Sequence, residues 1–187
     1  MSSPTAISPS RNICVFCASA DGTQPEYRLV AEDLGRKLAS QNIGLIYGGA
    51  RVGLMGAVAD ATLGSGGRVT GVIPHVLVDM EVAHHDVTEL HIVKTMHDRK
   101  ALMGEKADAF LILPGGFGTL EELFEVLAWS TLKLHAKPIV LLNTAKFWDG
   151  MLTFLDHCIT EGVLTQPKRD LLLVADTVDE AIRLCVG

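Results

Sequence analysis

Ala109-Phe110-Leu111-Ile112-Leu113-Pro114-Gly115-Gly116-Phe117-Gly118-Thr119-Leu120-Glu121-Glu122 reads as a buried strand, a glycine loop and the start of a helix. The run Ala109 to Leu113 is apolar throughout, and Leu120, Leu123, Phe124 and Leu127 then recur at helical spacing in a segment reaching Leu134. Glycine lets the backbone come close to a ligand, and the N–H groups of a helix's first turn lack intrahelical acceptors and carry partial positive charge. The order strand, glycine loop, helix is therefore an anion cradle, expected to hold a phosphate with Glu122 one turn inside.

Thr119-Leu120-Glu121-Glu122 also has the spacing of a capping box, in which Thr119 and Glu122 would bond each other's backbone N–H groups. A cap uses one carboxylate, yet Glu121 and Glu122 both stand at the phosphate end of the cleft, where they repel an anion. An acid in that place is better suited to a sugar hydroxyl or to positive charge that develops during a reaction.

Outward from this loop, apolar runs rich in β-branched residues recur at 13–17, 43–47, 69–73, 90–93, 110–113, 139–142 and 171–174. Segments of helical period lie between most of them. Pro25 suits a first helical turn, and Tyr27, Val30, Leu34 and Leu38 follow at spacings of three and four. Short strands that are apolar throughout, alternating with helices, predict a doubly wound, Rossmann-like α/β fold. Its parallel sheet of about seven strands carries helices on both faces. Ligands bind such sheets beyond the carboxyl ends of the strands. The loops at 17–22, 48–53 and 114–119 should then converge on one crevice, while 74–88, the least regular stretch, forms a rim.

A chain of 187 residues with 48% hydrophobic content fits one domain over 11–187, preceded by a polar, proline-broken tail, 1–10, that is expected to be disordered. The formal net charge of −6, with no long basic run, argues against a general nucleic-acid binder. No secretory h-region and no apolar run near the roughly 20 residues of a membrane span are present, so a soluble, cytoplasmic protein is expected. Cys14 and Cys17 have CxxC spacing, but inside a strand candidate they point to opposite faces. No second CxxC completes a zinc site, so they read as buried structural residues.

Three further stretches bear on the crevice. Gly48-Gly49-Ala50-Arg51-Val52-Gly53 follows a strand but matches neither dinucleotide nor P-loop fingerprints. Its glycines serve either a tight turn or ligand contact, with Arg51 pointing towards the latter. Thr95-Met96-His97-Asp98-Arg99-Lys100 opens a helix with capping-box spacing and places Arg99 and Lys100 in the first turn, where the dipole disfavours cations unless an anion is nearby. Ser19 lacks the setting of a nucleophile and reads as a loop hydroxyl able to bond a ligand. His84-His85-Asp86 has no further ligands at metal spacing and reads as solvated rim.

Together these residues resemble the LOG ("Lonely guy") family, the cytokinin riboside 5′-monophosphate phosphoribohydrolases, long described as possible lysine decarboxylases. The family motif PGGxGTxxE stands at Pro114 to Glu122, and its partner motif at Met96-His97-Asp98-Arg99-Lys100. Tyr47-Gly48-Gly49 and Gly53-Leu54-Met55-Gly56 lie upstream, and the likeness runs from about Ile13 to Ala181. Ala18 and Ala50 stand where family members often have glycine.

The resemblance implies cleavage of the N-glycosidic bond of an N6-modified adenosine monophosphate, with AMP as a related substrate, without metal or organic cofactor. It implies Arg99 and Glu122 as catalytic residues and Glu81, Lys100, Gly115, Gly116, Gly118 and Thr119 as nucleotide contacts. Ser19, Gly48, Gly49, Met96 and Glu121 join them as substrate-binding candidates. It also implies a homodimer with a shared site, for which Leu123, Leu127, Trp129 and Leu132 offer an apolar helix face. A second reading keeps the fold and the phosphate cradle without catalysis, as in a nucleotide or molybdenum-cofactor carrier.

Overall fold

The computed structural model describes residues 9–78, 80 and 82–187. Seven parallel strands form one sheet in the order β4-β3-β2-β1-β5-β6-β7. They are β1 (Arg11–Phe16), β2 (Ile43–Tyr47), β3 (Val69–Pro74), β4 (Glu89–Val93), β5 (Ala109–Ile112), β6 (Ile139–Leu142) and β7 (Leu172–Ala175). The helices are α1 (Pro25–Ser40), α2 (Gly53–Gly64), α3 (His75–Val78), α4 (Met96–Lys106), α5 (Phe117–Thr131), α6 (Asp149–Thr160), α7 (Gln166–Arg169) and α8 (Val178–Val186).

Strands covered on both faces need apolar side chains at every position, and β2, β5 and β6 are buried along their whole length. Alternate residues of β1 serve opposite layers. Ile13, Val15 and, just past the strand, Cys17 pack with α1, α2 and α8, whereas Cys14 and Phe16 pack with α4, α5 and α6. The two thiols of the CxxC therefore lie on opposite faces, and burial pushes both well above the usual thiol range. Fully buried residues such as Leu34, Leu38, Leu45 and Leu111 each contribute about 1.5–3 kcal/mol relative to exposure.

The strand order reverses between β1 and β5, which lie side by side although one turns towards β2 and the other towards β6. At such a switch point the two following loops diverge and leave a crevice. They remain tied at its base, where Leu113 N–H donates to Phe16 O at 3.0 Å and Ala18 N–H to Pro114 O at 3.1 Å.

Three local readings differ from expectation. The helix after β5 starts at Phe117 with Gly116 as N-cap, so Thr119 is its third residue and the 119–122 capping box does not form. Leu123 is fully buried in the core and Leu127 and Trp129 are half-buried, so of the proposed apolar face only Leu132 is open to solvent. The 74–88 stretch holds α3 and an antiparallel bridge between Ala50 and Ala83, and is thereby stitched to the β2 loop. At the other end, residues 1–8 of the expected tail lie outside the described residues. Ser10 donates from its N–H and Oγ to Asn42 O at 3.1 and 3.2 Å.

Candidate active site

A cavity of about 520 Å³ opens at the switch point, within the range of nucleotide-sized sites. The loop after β1 supplies Cys17, Ala18, Ser19 and Ala20, and the loop after β2 supplies Gly48, Ala50 and Val52. The first turn of α5 contributes Gly116, Phe117, Gly118 and Thr119, with Glu122 and Arg99 behind it. Ala18 and Ala50 take the glycine places of the family pattern without strain, since neither has positive φ.

That first turn is one on which an anion could dock. It has no side-chain cap and no acidic residue, and the first intrahelical bond is from Leu120 N–H to Gly116 O at 2.9 Å. The N–H groups of residues 117–119 precede that bond, so no helical carbonyl is in reach of them. A Cβ on Gly115 would overlap the Thr119 side chain, whereas one on Gly116 or Gly118 would meet open space. The turn thus combines a close-packed support at Gly115 with an unobstructed surface at Gly116 and Gly118.

Glu122 lies about a turn and a half into α5 and is only 7% exposed. Burial raises its carboxyl pKa to about 7, opposed by Arg99, whose Nη1 is 3.4 Å from Glu122 Oε1. Arg99 Nε donates to Val72 O at 3.2 Å and Nη2 to Gly48 O at 3.3 Å, which pins the guanidinium across the ends of β2 and β3. Gly48 is required by this approach, because a Cβ there would overlap Arg99 Nη2.

The cationic first turn of α4 finds its anions in α5. Thr95 and Asp98 form the expected capping box, with Thr95 Oγ1 accepting from Asp98 N–H at 3.0 Å and Asp98 Oδ2 accepting from Thr95 N–H at 3.1 Å. Arg99 faces Glu122, while buried Lys100 Nζ donates to Glu121 and, at 3.0 Å, to Glu125 Oε1. Lys100 and Glu121 therefore neutralise each other beside the cavity and are not among its lining residues. Nor are Met96, which is 42% exposed at the start of α4, Gly115, or Gly49, whose φ of +78° turns the loop beneath Val72 and Ile73. Glu81 lies outside the described residues.

Two residues behave unlike their sequence readings. Arg51 does not line the cavity and is held in ion pairs with Asp60 at 3.1 Å and Asp86 at 2.5 Å. His84 is fully buried rather than solvated, with Nε2 3.0 Å from Asp60 Oδ1, because the returning chain folds it under the β2 loop. Sequence reasoning also missed the apolar wall formed by Met55, Leu77, Met80 and Val82, three of which lie in the irregular stretch where periodicity is silent. Among the described residues, no group of three or more His, Cys, Asp or Glu could hold a metal ion, and no helix is long and apolar enough to cross a membrane.

A family model described as "Possible lysine decarboxylase" matches residues 55–185. A cytokinin riboside 5′-monophosphate phosphoribohydrolase of Rhodococcoides fascians is 49% identical over 173 residues, covering 92% of this chain and 87% of that one. An enzyme of the same name from Arabidopsis thaliana is 43% identical over 173 residues, covering 92% and 80%. Among solved structures, the Moco carrier protein of Chlamydomonas reinhardtii superposes with a TM-score of 0.69 at 22% identity, covering 92% of this chain and 93% of that chain. The molybdenum cofactor binding protein of Rippkaea orientalis gives 0.68 at 19%, covering 96% of each. The two structural likenesses speak to fold alone. The family match and the two sequence relatives go further, and by them this chain belongs to the LOG family, the group whose model carries the possible lysine decarboxylase description.

Proposed function

We propose that this protein hydrolyses the N-glycosidic bond of cytokinin riboside 5′-monophosphates, and of AMP, to the free base and ribose 5-phosphate. The observation that carries the reading is the buried Arg99–Glu122 pair set just inside an uncapped helix N-terminus in a nucleotide-sized cavity. The names of the sequence relatives support it.

The geometry suits the chemistry. The 5′-phosphate docks on the first turn of α5, where N–H groups and helix dipole favour an anion, and fixes the ribose against Glu122. As C1′–N9 breaks, its electron pair leaves with the base and positive charge grows on the ribose ring. The Glu122 carboxylate stabilises that charge and accepts a proton from the water whose oxygen bonds to C1′; that proton then passes to N9 of the leaving base, which restores the carboxylate. Arg99, wired to two backbone carbonyls, holds the carboxylate in place. The departing base meets the apolar wall of Ala50, Val52, Met55 and Val82.

The ionised form of Glu122 is the working form, and burial places its pKa at about 7, so the ionised fraction grows through neutrality. Incubation with AMP or isopentenyladenosine monophosphate should therefore release base and ribose 5-phosphate in equal amounts. On the acid side of pH 7, kcat/KM should fall about tenfold per pH unit. A carrier would release neither product, and a flat profile between pH 5 and 8 would remove Glu122 from its role.

The site is further proposed to work in a homodimer. Phe117, Phe124 and Leu132 are 93%, 40% and 69% exposed and, with exposed Ala128, form one stripe along α5 beside the cavity mouth. Light scattering should give twice the chain mass, and Phe124→Glu with Leu132→Glu should give monomer; a monomeric parent protein contradicts this.

A further inference from the structure

The wall opposite the phosphate cradle is assembled from two pieces of chain that are far apart in sequence. One is the β2 loop with the start of α2, which lends Ala50, Val52 and Met55 to the cavity, and the other is the segment returning from α3, which lends Val82. Backbone bonds join them: Arg51 N–H donates to Val82 O and His84 N–H to Gly49 O, both at 2.8 Å, on either side of the Ala50–Ala83 bridge.

Side chains then fasten this junction from behind. Asp60, on α2 two turns beyond Val52, accepts from buried His84 at 3.0 Å and pairs with Arg51 at 3.1 Å, and Arg51 reaches on to Asp86 at 2.5 Å. His84 has no solvent exposure, and its Nδ1 has no hydrogen-bond partner among the described residues. An apolar side chain of similar size would fill the same buried space. What histidine adds is one directional bond to Asp60, two residues beyond Val82 in the cavity wall.

We propose that Asp60 and His84 are positioning residues for nucleotide recognition. They latch the Val82 segment to the β2 loop and so set the shape of the wall against which the base lies. The inference rests on the functional reading above for the placement of the base. It concerns binding of the base and not the bond-breaking step, since neither side chain lines the cavity. Arg51 reinforces the latch from the solvent side, where it is half-exposed.

The test compares two ligands that share the phosphate end and differ in the base. In the Glu122→Gln background, where AMP is not consumed, calorimetry reads the affinities for AMP and for ribose 5-phosphate. Asp60→Ala should weaken AMP binding about tenfold and leave ribose 5-phosphate within about twofold, while Asp60→Asn, which still accepts from His84, restores most of the loss. Arg51→Ala, a half-exposed site that leaves the His84–Asp60 bond in place, should show the same contrast at about threefold and carries the test if Asp60→Ala does not fold. Equal weakening of both ligands, or of neither, overturns the latch. The functional reading fails separately, through absence of hydrolysis by the parent protein, and the affinity contrast remains readable in that case. A protein that binds neither ligand overturns both.

Discussion

Glu122→Gln should bind AMP with nearly unchanged affinity and lose roughly 10³-fold or more in kcat, the scale seen when a positioned base or a transition-state charge partner is removed. Glutamine matches glutamate in shape and can still accept from Arg99, so the cavity wall and the α4–α5 contact persist. It carries no charge to set against the ribose cation and takes no proton from water. The carboxylate's contribution exists only as the bond breaks, and therefore its loss falls on kcat and not on ground-state binding. The limb of the pH profile near 7 should vanish with it, because Glu122 is the buried acid that titrates there. Turnover within a few-fold of the parent protein would remove Glu122 from the mechanism, whatever the binding data show.

The second large effect concerns the substrate. Replacing AMP by adenosine should lower kcat/KM by about 10³, since two charge-assisted hydrogen bonds lost at the α5 N-terminus are together worth about 4 kcal/mol. The cradle makes this a demanding prediction. Its first turn has neither a side-chain cap nor an acid to satisfy it, and Gly116 and Gly118 leave its surface open. A phosphate is bound far from C1′ and does not take part in the bond change, so its binding energy acts by positioning the ribose against Glu122. Steady-state kinetics with matched AMP and adenosine series measure the ratio. Equal kcat/KM for the two would mean that the 5′ group is not read by this helix.

Much of the fold was legible because a parallel sheet covered on both faces demands unbroken apolar strands, and β2, β5 and β6 are such runs. The strand, glycine loop and helix of 109–131 were legible for a similar reason, as they occur in one continuous stretch. What failed was decided by contacts that local pattern does not carry. Thr95-Asp98 and Thr119-Glu122 have the same spacing, yet only the first is a capping box, because the backbone turns into helix at Gly116 and carries Thr119 past the end position.

Along the same helix the core takes up Leu123, and the exposed apolar positions are Phe117 and Phe124 instead. His84 and Arg51 were misread for another reason. Their partner, Asp60, lies on α2, and nothing in the 82–86 stretch announces that it folds under the β2 loop. Arg99 and Lys100 stood out in the sequence as cations in a helix's first turn, and α5 meets them with different acids, only Arg99 of the two facing the cavity.

A crystal structure of the Glu122→Gln protein with AMP bound should place the phosphate oxygens about 3 Å from the N–H groups at the start of α5, with C1′ facing residue 122 and the base against Val52 and Val82. A phosphate bound away from that turn, or a side chain at 122 directed away from the ribose, would contradict the proposed function.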